Sequence, residues 1–216
     1  MNKPVHLLAA GLLLAAPAWA DTVEVVALGD SLTAGYGLRE GEGFVPRLQA
    51  WLDASGVDAT IVNAGVSGDT TAGGLARLDW ALSDGTDAMI VALGGNDLLR
   101  GVPPSASRAN LDAILSQVAG DRDLPVLLIG LEAPGNYGPA FKADFDAMYP
   151  DLAFEYGTLH ETSFLAPLLA EVDLATARQR YLQPDGIHPN REGVEVIVEA
   201  VGPRVAELVE RARDPG

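Results

Sequence analysis

Short apolar runs alternate with longer amphipathic segments along this chain, and that alternation limits the possible folds more than any other feature. The runs are rich in valine, isoleucine and leucine, and they are shorter than a typical helix, as expected of strands buried on both faces. Strands that alternate with helices predict an α/β fold with a central parallel sheet, arranged as a three-layer α/β/α sandwich. We predict about five strands, at residues 23–28, 60–62, 88–93, 126–131 and 153–155.

Segments between and after these runs place their apolar residues on one side of a helix. These predicted helices span residues 44–54, 71–82, 111–118 and 194–209, and Asn190 is a suitable N-cap for the last of them. No low-complexity linker or internal repeat interrupts residues 21–216, so we predict a single domain there. With a strand order of the 2-1-3-4-5 type, the chain direction would switch between the first and third strands.

The first 20 residues have the pattern of a secretory signal peptide. Lys3 supplies a positive start, residues 5–16 are almost wholly apolar, and Ala18 and Ala20 form a small-residue cleavage pattern. A membrane anchor is the alternative, but the apolar run is shorter than the roughly 20 residues that span a bilayer. We therefore predict cleavage after Ala20 and a periplasmic or secreted protein without stable membrane insertion.

Composition removes several classes of function. The formal net charge is −16, from 14 Lys+Arg against 30 Asp+Glu, which argues against a nucleic-acid partner because phosphate backbones bind clustered basic charge. The absence of cysteine excludes disulfides, thiolate zinc sites and cysteine nucleophiles. The only histidines are His6, His160 and His188, so a multi-histidine metal site is not expected, and we predict neither a metal nor a cofactor.

Glycines and polar residues follow the predicted strands, at the edge of the sheet where parallel α/β proteins bind their ligands. Ser31 follows Gly29 at a strand-to-helix junction, where a hydroxyl can project beside the free N–H groups of a helix start. Gly65 follows the second strand and Asn96 follows the third, and each can bring an N–H group close to a substrate. Taken singly, Ser31 is equally well explained as a helix cap, and the two loops as ordinary turns.

A late turn carries an aspartate three residues before a histidine. Asp185 can present its carboxylate to one ring nitrogen of His188, which fixes the tautomer and leaves the other nitrogen facing the cleft. A surface turn with an incidental ion pair is one alternative. A second is a magnesium or calcium site in which Asp30 or Asp97 joins these two residues.

The set of residues is more specific than its parts. Acyl transfer needs a nucleophile, a base, an acid that orients the base, and hydrogen-bond donors for an oxyanion. Ser31, His188 and Asp185 supply the first three, and the backbone N–H of Ser31, the N–H of Gly65 and the amide of Asn96 supply the donors.

With their flanking residues, these positions make the chain similar to the SGNH hydrolases, also called GDSL hydrolases. The motif blocks are Gly-Asp-Ser-Leu at 29–32, Gly65 within 63–71, Gly-Gly-Asn-Asp at 94–97 and Asp-Gly-Ile-His at 185–188. Segments similar to the bacterial periplasmic branch of multifunctional thioesterases, arylesterases and lysophospholipases are found at 35–37, 68–70, 74–78, 96–101 and 134–138. The resemblance covers essentially all of residues 21–216.

The resemblance implies a flavodoxin-like fold, with Ser31 as nucleophile, His188 as base and Asp185 as its partner. It also implies an oxyanion hole made by Ser31, Gly65 and Asn96. The expected protein is then a serine esterase that forms an acyl-enzyme and hydrolyses aryl or alkyl esters or lysophospholipids, with thioesters as a further class of substrate. A small ester or lipid is the only partner that it implies.

The resemblance also places two loops, at 97–101 and 134–138, beside the acyl pocket. Candidate substrate-binding residues are Asp30, Leu98, Leu99, Pro134 and Tyr137. His160 has no acidic residue placed to orient it, so we predict a surface or packing role for it.

Other functions use the same fold. A carbohydrate O-acetyl esterase would share the three catalytic residues, a metal-dependent phosphodiesterase would use the carboxylates, and a small-ligand binding module would use neither. The apolar side chains of Leu98, Leu99 and Val102 favour a fatty acyl or aryl group. The net charge of −16 disfavours anionic acyl-CoA as a natural substrate.

Overall fold

One parallel sheet forms the centre of the molecule. The computed structural model describes residues 22–170 and 172–214, so the predicted leader, residues 1–20, lies outside the described residues. The strands are β1 (Val23–Gly29), β2 (Ala59–Gly65), β3 (Ala88–Ala92), β4 (Val126–Ile129) and β5 (Leu159–Glu161). They are all parallel, which confirms the predicted fold class, and they lie in the order β2-β1-β3-β4-β5, the order considered in the sequence analysis.

Helices connect these strands and cover the sheet. They are α1 (Ser31–Ala34), α2 (Phe44–Ala54), α3 (Thr71–Ala76), α4 (Leu78–Ala81), α5 (Gly95–Leu99), α6 (Pro104–Leu115), α7 (Pro139–Tyr156), α8 (Leu174–Tyr181) and α9 (Arg191–Arg213). A π-helix at Ser116–Asp121 extends α6, and a 3-10 helix at Ala166–Leu169 precedes α8. Within the described residues, none of the helices is both long enough and apolar enough to cross a bilayer.

The sheet separates two hydrophobic cores. Alternate residues of β1 point to opposite faces, so Val25 and Ala27 join the core with α2 and α9, while Val26 and Leu28 join the core with α6 and α7. These four side chains are essentially inaccessible to water. Burial on both faces explains why the strands appear in the sequence as continuous apolar runs rather than as alternating patterns.

The carboxyl ends of three strands lie level with each other. Gly29, the last residue of β1, is paired with Gly65 at the end of β2 and with Ala92 at the end of β3. The loops that leave these strands therefore begin side by side. This register brings the segments that follow β1 and β3 to one edge of the sheet.

The predicted fifth strand at 153–155 is wrong. Those residues form the last turns of α7, which ends at Gly157 with a left-handed φ of 64°. Leu152 and Ala153 pack into the core while Phe154 is 91% exposed, which is the pattern of a helix face and not of a buried strand. The fifth strand is Leu159–Glu161, so His160 lies within it rather than after it.

Three of the four predicted helices have different bounds in the structure, and the last of them, predicted at 194–209, is α9 at Arg191–Arg213. The segment 71–82 breaks at Arg77, whose φ of −114° and ψ of 12° separate α3 from α4. Within the segment 111–118, residues 111–115 belong to α6 and residues 116–118 to the π-helix, and α6 begins earlier, at Pro104, and includes the buried polar residue Ser107. A polar side chain on the inner face hides the start of the helix from a hydrophobic pattern. Asn190 is the N-cap of α9, as predicted, and accepts from the N–H of Gly193 at 3.0 Å.

Candidate active site

A continuous chain of hydrogen bonds joins Ser31, His188 and Asp185. The Oγ of Ser31 lies 2.8 Å from Nε2 of His188, although the two residues are 157 positions apart in sequence. The Nδ1 of His188 lies 2.6 Å from Oδ2 of Asp185. A neutral histidine that donates from Nδ1 to a carboxylate has a free acceptor at Nε2, where it can receive the serine proton.

Hydrogen bonds within the turn, most of them to the side chain of Asp185, hold Asp185 and His188 in place. The Oδ1 of Asp185 accepts from the N–H of Ile187 at 2.9 Å and from the N–H of His188 at 3.1 Å. The N–H of Gln183 closes the turn by donating to the carbonyl of His188 at 2.8 Å. The side chain of Gln183 also donates to the carbonyl of Tyr36, at 2.7 Å, which ties this turn to the segment after α1.

The pKa of Asp185 falls to about 2. Partial burial raises it, but the hydrogen bonds from the Ile187 N–H and from the side chain and N–H of His188 lower it further, because all of them favour the charged carboxylate. The carboxylate therefore stays ionised beside the imidazole at neutral pH.

Ser31 is the first residue of α1, directly after the turn that ends β1. A Cβ at Gly29 would collide with the side chain of Thr33, so only glycine lets the helix start so close to the strand. Asp30 is the N-cap, and its Oδ1 accepts from the N–H of Leu32 at 3.0 Å. This geometry corrects the reading of Ser31 as a helix cap, since Asp30 takes that role and the hydroxyl of Ser31 bonds to His188 instead.

Asp30 is buried beneath the serine, and its second oxygen accepts from Nδ2 of Asn96 at 3.3 Å. Burial raises the pKa of Asp30 above its ordinary value, against the lowering effect of the bonds from Leu32 and Asn96. Asp30, one of the predicted substrate-binding residues, lies at the cleft. Its carboxylate is hydrogen-bonded to the side-chain amide of Asn96.

Asn96 lies in α5, which begins at the end of β3. Gly94 has a left-handed φ of 119°, and a Cβ there would collide with the hydroxyl of Tyr149. A Cβ at Gly95 would lie 3.0 Å from Oδ2 of Asp30, so the second glycine keeps space for that carboxylate. The two glycines thus allow Asn96 to approach Asp30.

The next residue, Asp97, anchors α5 in the protein interior. It is buried and accepts from the N–H of Thr71 at 2.8 Å, from the hydroxyl of Thr71 at 2.6 Å and from the hydroxyl of Ser107 at 3.0 Å. Its oxygens are therefore taken up by protein donors on α3 and α6. Within residues 22–170 and 172–214, no three His, Cys, Asp or Glu side chains are grouped closely enough to hold a metal ion.

The structure does not bring Gly65 to the cleft, where the sequence predicts an oxyanion donor. Its N–H donates to Oδ1 of Asn63 at 2.9 Å, and a Cβ at Gly65 would collide with the backbone of Ala34. Gly65 is thus a packing glycine beneath α1. Gly68, three residues further along the same loop, lines the cleft instead and has a left-handed φ of 90°.

The loop around Gly68 is fixed by two arginines. Arg100 donates to the carbonyl of Gly68 at 2.8 Å, and Arg77 donates both to Asp69 and to the carbonyl of Gly29. The N-cap of α3 is Thr70, whose side chain accepts from the N–H of Gly73. Within the described residues, the N–H groups of Gly68 and Ser31 donate to no protein acceptor, so both are open to a ligand.

The cleft beside Ser31 has a volume of about 330 Å³ and a mainly apolar lining. Its apolar side chains are Leu32, Leu98, Leu99, Leu131, Leu165 and Ile187. Leu98 and Leu99 thus line the cleft, as predicted. Tyr36 also lines it and contacts the imidazole of His188, with ring centroids 4.6 Å apart.

Two predicted substrate-binding residues lie elsewhere. Pro134 lines a neighbouring cavity, and Tyr137 packs against Gly101 and Phe141 with its hydroxyl 3.5 Å from the carbonyl of Leu99. Tyr137 therefore supports the α5 loop from outside and does not reach the cleft. The sequence does not single out several other residues of the cleft. They all lie in loops just after strands, which is the signal that could have identified them, and they include Ser67, Gly68, Glu132 and Leu165.

Comparison with known proteins gives consistent results. The sequence profile of the GDSL-like lipase/acylhydrolase family matches residues 27–196. Esterase TesA of Pseudomonas aeruginosa is 39% identical over 199 residues, which are 92% of this chain and 94% of that protein. Thioesterase 1/protease 1/lysophospholipase L1 of Escherichia coli K12 is 36% identical over 199 residues, with 92% of this chain and 89% of that protein covered.

A solved structure shows the same similarity. The SGNH-hydrolase family esterase AlinE4 superimposes with a TM-score of 0.69 at 41% identity, over 88% of this chain and 98% of that one. The family match begins in β1 and ends in α9. It therefore includes the carboxyl ends of all five strands and both Ser31 and His188. This chain therefore belongs to the GDSL-like lipase/acylhydrolase family.

Proposed function

We propose that this protein is a serine esterase that hydrolyses carboxylic esters of alkyl or aryl type through an acyl-enzyme intermediate. The observation that carries the proposal is the unbroken Ser31–His188–Asp185 hydrogen-bond chain at the side of an apolar cleft. The histidine lies between the serine and the aspartate, which is the order that a nucleophile, a general base and an orienting acid require.

In the first half of the reaction, the Oγ of Ser31 attacks the ester carbonyl carbon while Nε2 of His188 takes the hydroxyl proton. The bond between the carbonyl carbon and the leaving oxygen then breaks, and His188 returns the proton to that oxygen, which releases the alcohol. Asp185 stays ionised throughout and stabilises the imidazolium. In the second half, His188 takes a proton from water while the water oxygen attacks the acyl carbon. The bond between that carbon and Oγ of Ser31 then breaks, His188 returns the proton to Oγ, and the carboxylic acid leaves.

Three groups can stabilise the negative oxygen of the tetrahedral intermediate. They are the N–H of Ser31, the N–H of Gly68 and the side-chain amide of Asn96. Gly68 replaces the predicted Gly65 in this set, because its N–H is open and its loop is fixed by Arg100. The left-handed φ of Gly68 explains why a glycine suits this position.

The apolar lining of the cleft supports alkyl and aryl esters, including lysophospholipids, as substrates rather than acetylated carbohydrates. Thioesters could react by the same steps. The net charge of −16 disfavours anionic acyl-CoA, which is also not normally met outside the cytoplasm, where the predicted leader would direct the chain.

The variant Ser31→Ala tests the proposal directly. Loss of the nucleophile should lower kcat/KM for p-nitrophenyl butyrate on the order of 10⁴-fold or more. Ser105→Ala, which changes an exposed serine on α6, is the matched control and should keep the wild-type rate. A Ser31→Ala variant that turned over at the wild-type rate would falsify the proposal.

Covalent labelling supplies a second, independent readout. A p-nitrophenyl alkylphosphonate should phosphonylate Ser31 and no other serine, as determined by peptide mass mapping. Label on a different serine of the folded protein would assign the nucleophile to that residue instead.

A further inference from the structure

The loop that carries Gly68 is the most exposed of the three segments that hold the proposed oxyanion donors. Its residues Val66, Ser67 and Gly68 are all exposed. The N–H of Val66 donates to the carbonyl of Gly29 at 3.0 Å, and the N–H of Asp69 donates to the carbonyl of Val66 at 3.1 Å. Exposed loops with few buried contacts move readily, so a fixed position for the Gly68 N–H needs further support.

Arg77 supplies that support by joining the loop to the end of β1. Its Nε donates to Oδ2 of Asp69 at 2.5 Å, and its Nη2 donates to the carbonyl of Gly29 at 3.0 Å. Asp69 directly follows Gly68, and Gly29 lies two residues before Ser31. The guanidinium is a rigid planar fork, so it holds its two partners at a fixed separation. The fork therefore limits how far the N–H groups of Gly68 and Ser31 can move apart.

The contact between Arg77 and Asp69 is more sheltered than an ordinary surface ion pair. Their side chains are 22% and 18% exposed. In every other Arg or Lys ion pair of the described residues, both side chains are at least 30% exposed. A Cβ at Gly73 would lie 2.7 Å from Oδ1 of Asp69, so glycine leaves room there for the carboxylate. Arg100 also holds the loop, through the carbonyl of Gly68, but from an exposed position where water competes for the bond.

We propose that Arg77 is a positioning residue that keeps the N–H of Gly68 at the distance from the N–H of Ser31 that a tetrahedral oxyanion requires. The inference rests on the proposed esterase mechanism and adds to it a side chain that lies outside the cleft lining. Oxyanion donors stabilise the transition state more than the bound substrate, so loosening one of them lowers kcat with little change in KM. Both half-reactions pass through a tetrahedral intermediate, so both should slow.

The first test is Arg77→Gln, whose shorter neutral side chain cannot bridge Asp69 and Gly29. For p-nitrophenyl butyrate we expect kcat to fall about tenfold, less than the roughly 10²–10³-fold that follows removal of an oxyanion donor, with KM changed by less than about twofold. The matched control is Arg122→Gln, since Arg122 is exposed and pairs with Asp79 at 3.7 Å. The control should keep the wild-type kcat and KM. An unchanged kcat in Arg77→Gln, or a loss that appears in KM, overturns the inference.

A transition-state analogue reports on the donors without turnover. The boron of 1-butaneboronic acid accepts an electron pair from Oγ of Ser31 while the hydroxyl proton passes to His188. One oxygen of the resulting tetrahedral anion then takes the place of the reacting oxyanion. The inhibition constant for Arg77→Gln should rise by about the same factor as kcat/KM falls. An unchanged inhibition constant beside a lowered kcat overturns the inference.

A double-variant cycle separates this contact from general destabilisation. Asp69→Ala removes the carboxylate through which Arg77 holds the loop, so it should also lower kcat about tenfold. If the two side chains act through one contact, Arg77→Gln/Asp69→Ala should lose about tenfold in total, whereas independent effects multiply to about a hundredfold and overturn the inference. Melting temperatures show which variants are folded at the assay temperature. Asp69→Ala carries the kinetic and boronate tests if Arg77→Gln is not.

Failure of this inference and failure of the esterase mechanism give different results. A Ser31→Ala variant that keeps the wild-type turnover overturns the mechanism, and with it the need for an oxyanion site. An inactive Ser31→Ala variant beside a folded and fully active Arg77→Gln variant overturns the role of Arg77 alone.

Discussion

Two aspartates flank the Ser31–His188 pair, Asp30 next to the serine in sequence and Asp185 hydrogen-bonded to the histidine, yet their pKa values shift in opposite directions. In each turn the aspartate Oδ1 accepts from the N–H two residues ahead, at 3.0 Å for Asp30 and 2.9 Å for Asp185. Burial raises the pKa of Asp30, whereas the pKa of Asp185 falls to about 2. Asp30 is only 3% exposed, while the side chain of Asp185 is 37% exposed.

The difference shows that solvent access, and not turn geometry, decides how each carboxylate can act. Asp185 keeps water on one side and receives three hydrogen bonds, so it can stay charged beside an imidazole. Asp30 receives two hydrogen bonds inside the protein, which do not compensate for its burial. We therefore expect Asp185 to contribute through its charge and Asp30 through its position beneath Ser31 and Asn96.

The strongest test of this contrast is Asp185→Asn. The asparagine oxygen can still accept from the backbone of the turn, but its amide cannot accept from Nδ1–H of His188, so the imidazole loses its orienting partner. We expect kcat for p-nitrophenyl butyrate to fall by about 10³–10⁴-fold. Steady-state kinetics at pH 7 measure the effect, and a loss of less than tenfold would contradict an electrostatic role.

A smaller loss is expected for Asp30→Asn. The new amide can still cap Leu32 but would face the amide of Asn96, which loses its acceptor and so its fixed orientation. We expect kcat to fall about tenfold, less than the roughly 10²–10³-fold that follows the removal of an oxyanion donor. A loss as large as that of Asp185→Asn would erase the distinction between the two aspartates.

The smallest effect is on stability as a function of pH, and its sign differs between the two variants. The folded pKa of Asp185 lies below the unfolded value, so its stabilisation is present above about pH 4 and is lost as pH falls towards its folded pKa of about 2. The folded pKa of Asp30 lies above the unfolded value, so its contribution is full below about pH 4 and is lost as pH rises through the folded pKa.

Melting temperatures of the wild type and both variants from pH 3 to pH 7 measure this difference. Relative to the wild type, Asp185→Asn should become less stable as pH rises through this range, and Asp30→Asn should become more stable. Parallel curves for the two variants would show that the carboxylates do not differ as proposed.

The sequence predicts most of the fold because the sheet is buried on both faces. Continuous apolar runs such as residues 23–28 and 88–93 have no other ready interpretation in a chain of this composition, and they coincide with β1 and β3 to within a residue. The exception, at 153–155, arises because the end of a buried helix also presents a short apolar run. Only two residues, the left-handed Gly157 and Thr158, separate that helix from the true β5.

The candidate site is predictable to the extent that its residues lie in short motifs. Ser31, Asn96, Asp185 and His188 meet because each follows a strand or lies in a tight turn at the same edge. The sequence does not show whether Gly65 or Gly68 offers the oxyanion donor. The answer depends on which of the two N–H groups donates to the side chain of Asn63, and residue spacing does not reveal that hydrogen bond. The apolar lining from Leu165 to α8 is also invisible in sequence, since it depends on how distant segments pack.

The lining of the cleft comes from several separate segments, and this has a consequence for which of its residues can be replaced independently. Ser31 and Asn96 come from the helices that follow β1 and β3, and His188 from the turn at 185–188, whereas Leu131 and Leu165 come from segments that follow β4 and β5. Replacements in the latter segments can therefore accumulate without disturbing proton transfer. The apolar lining can therefore change shape at Leu131 and Leu165 while the hydrogen bonds among Ser31, His188 and Asp185 keep their geometry.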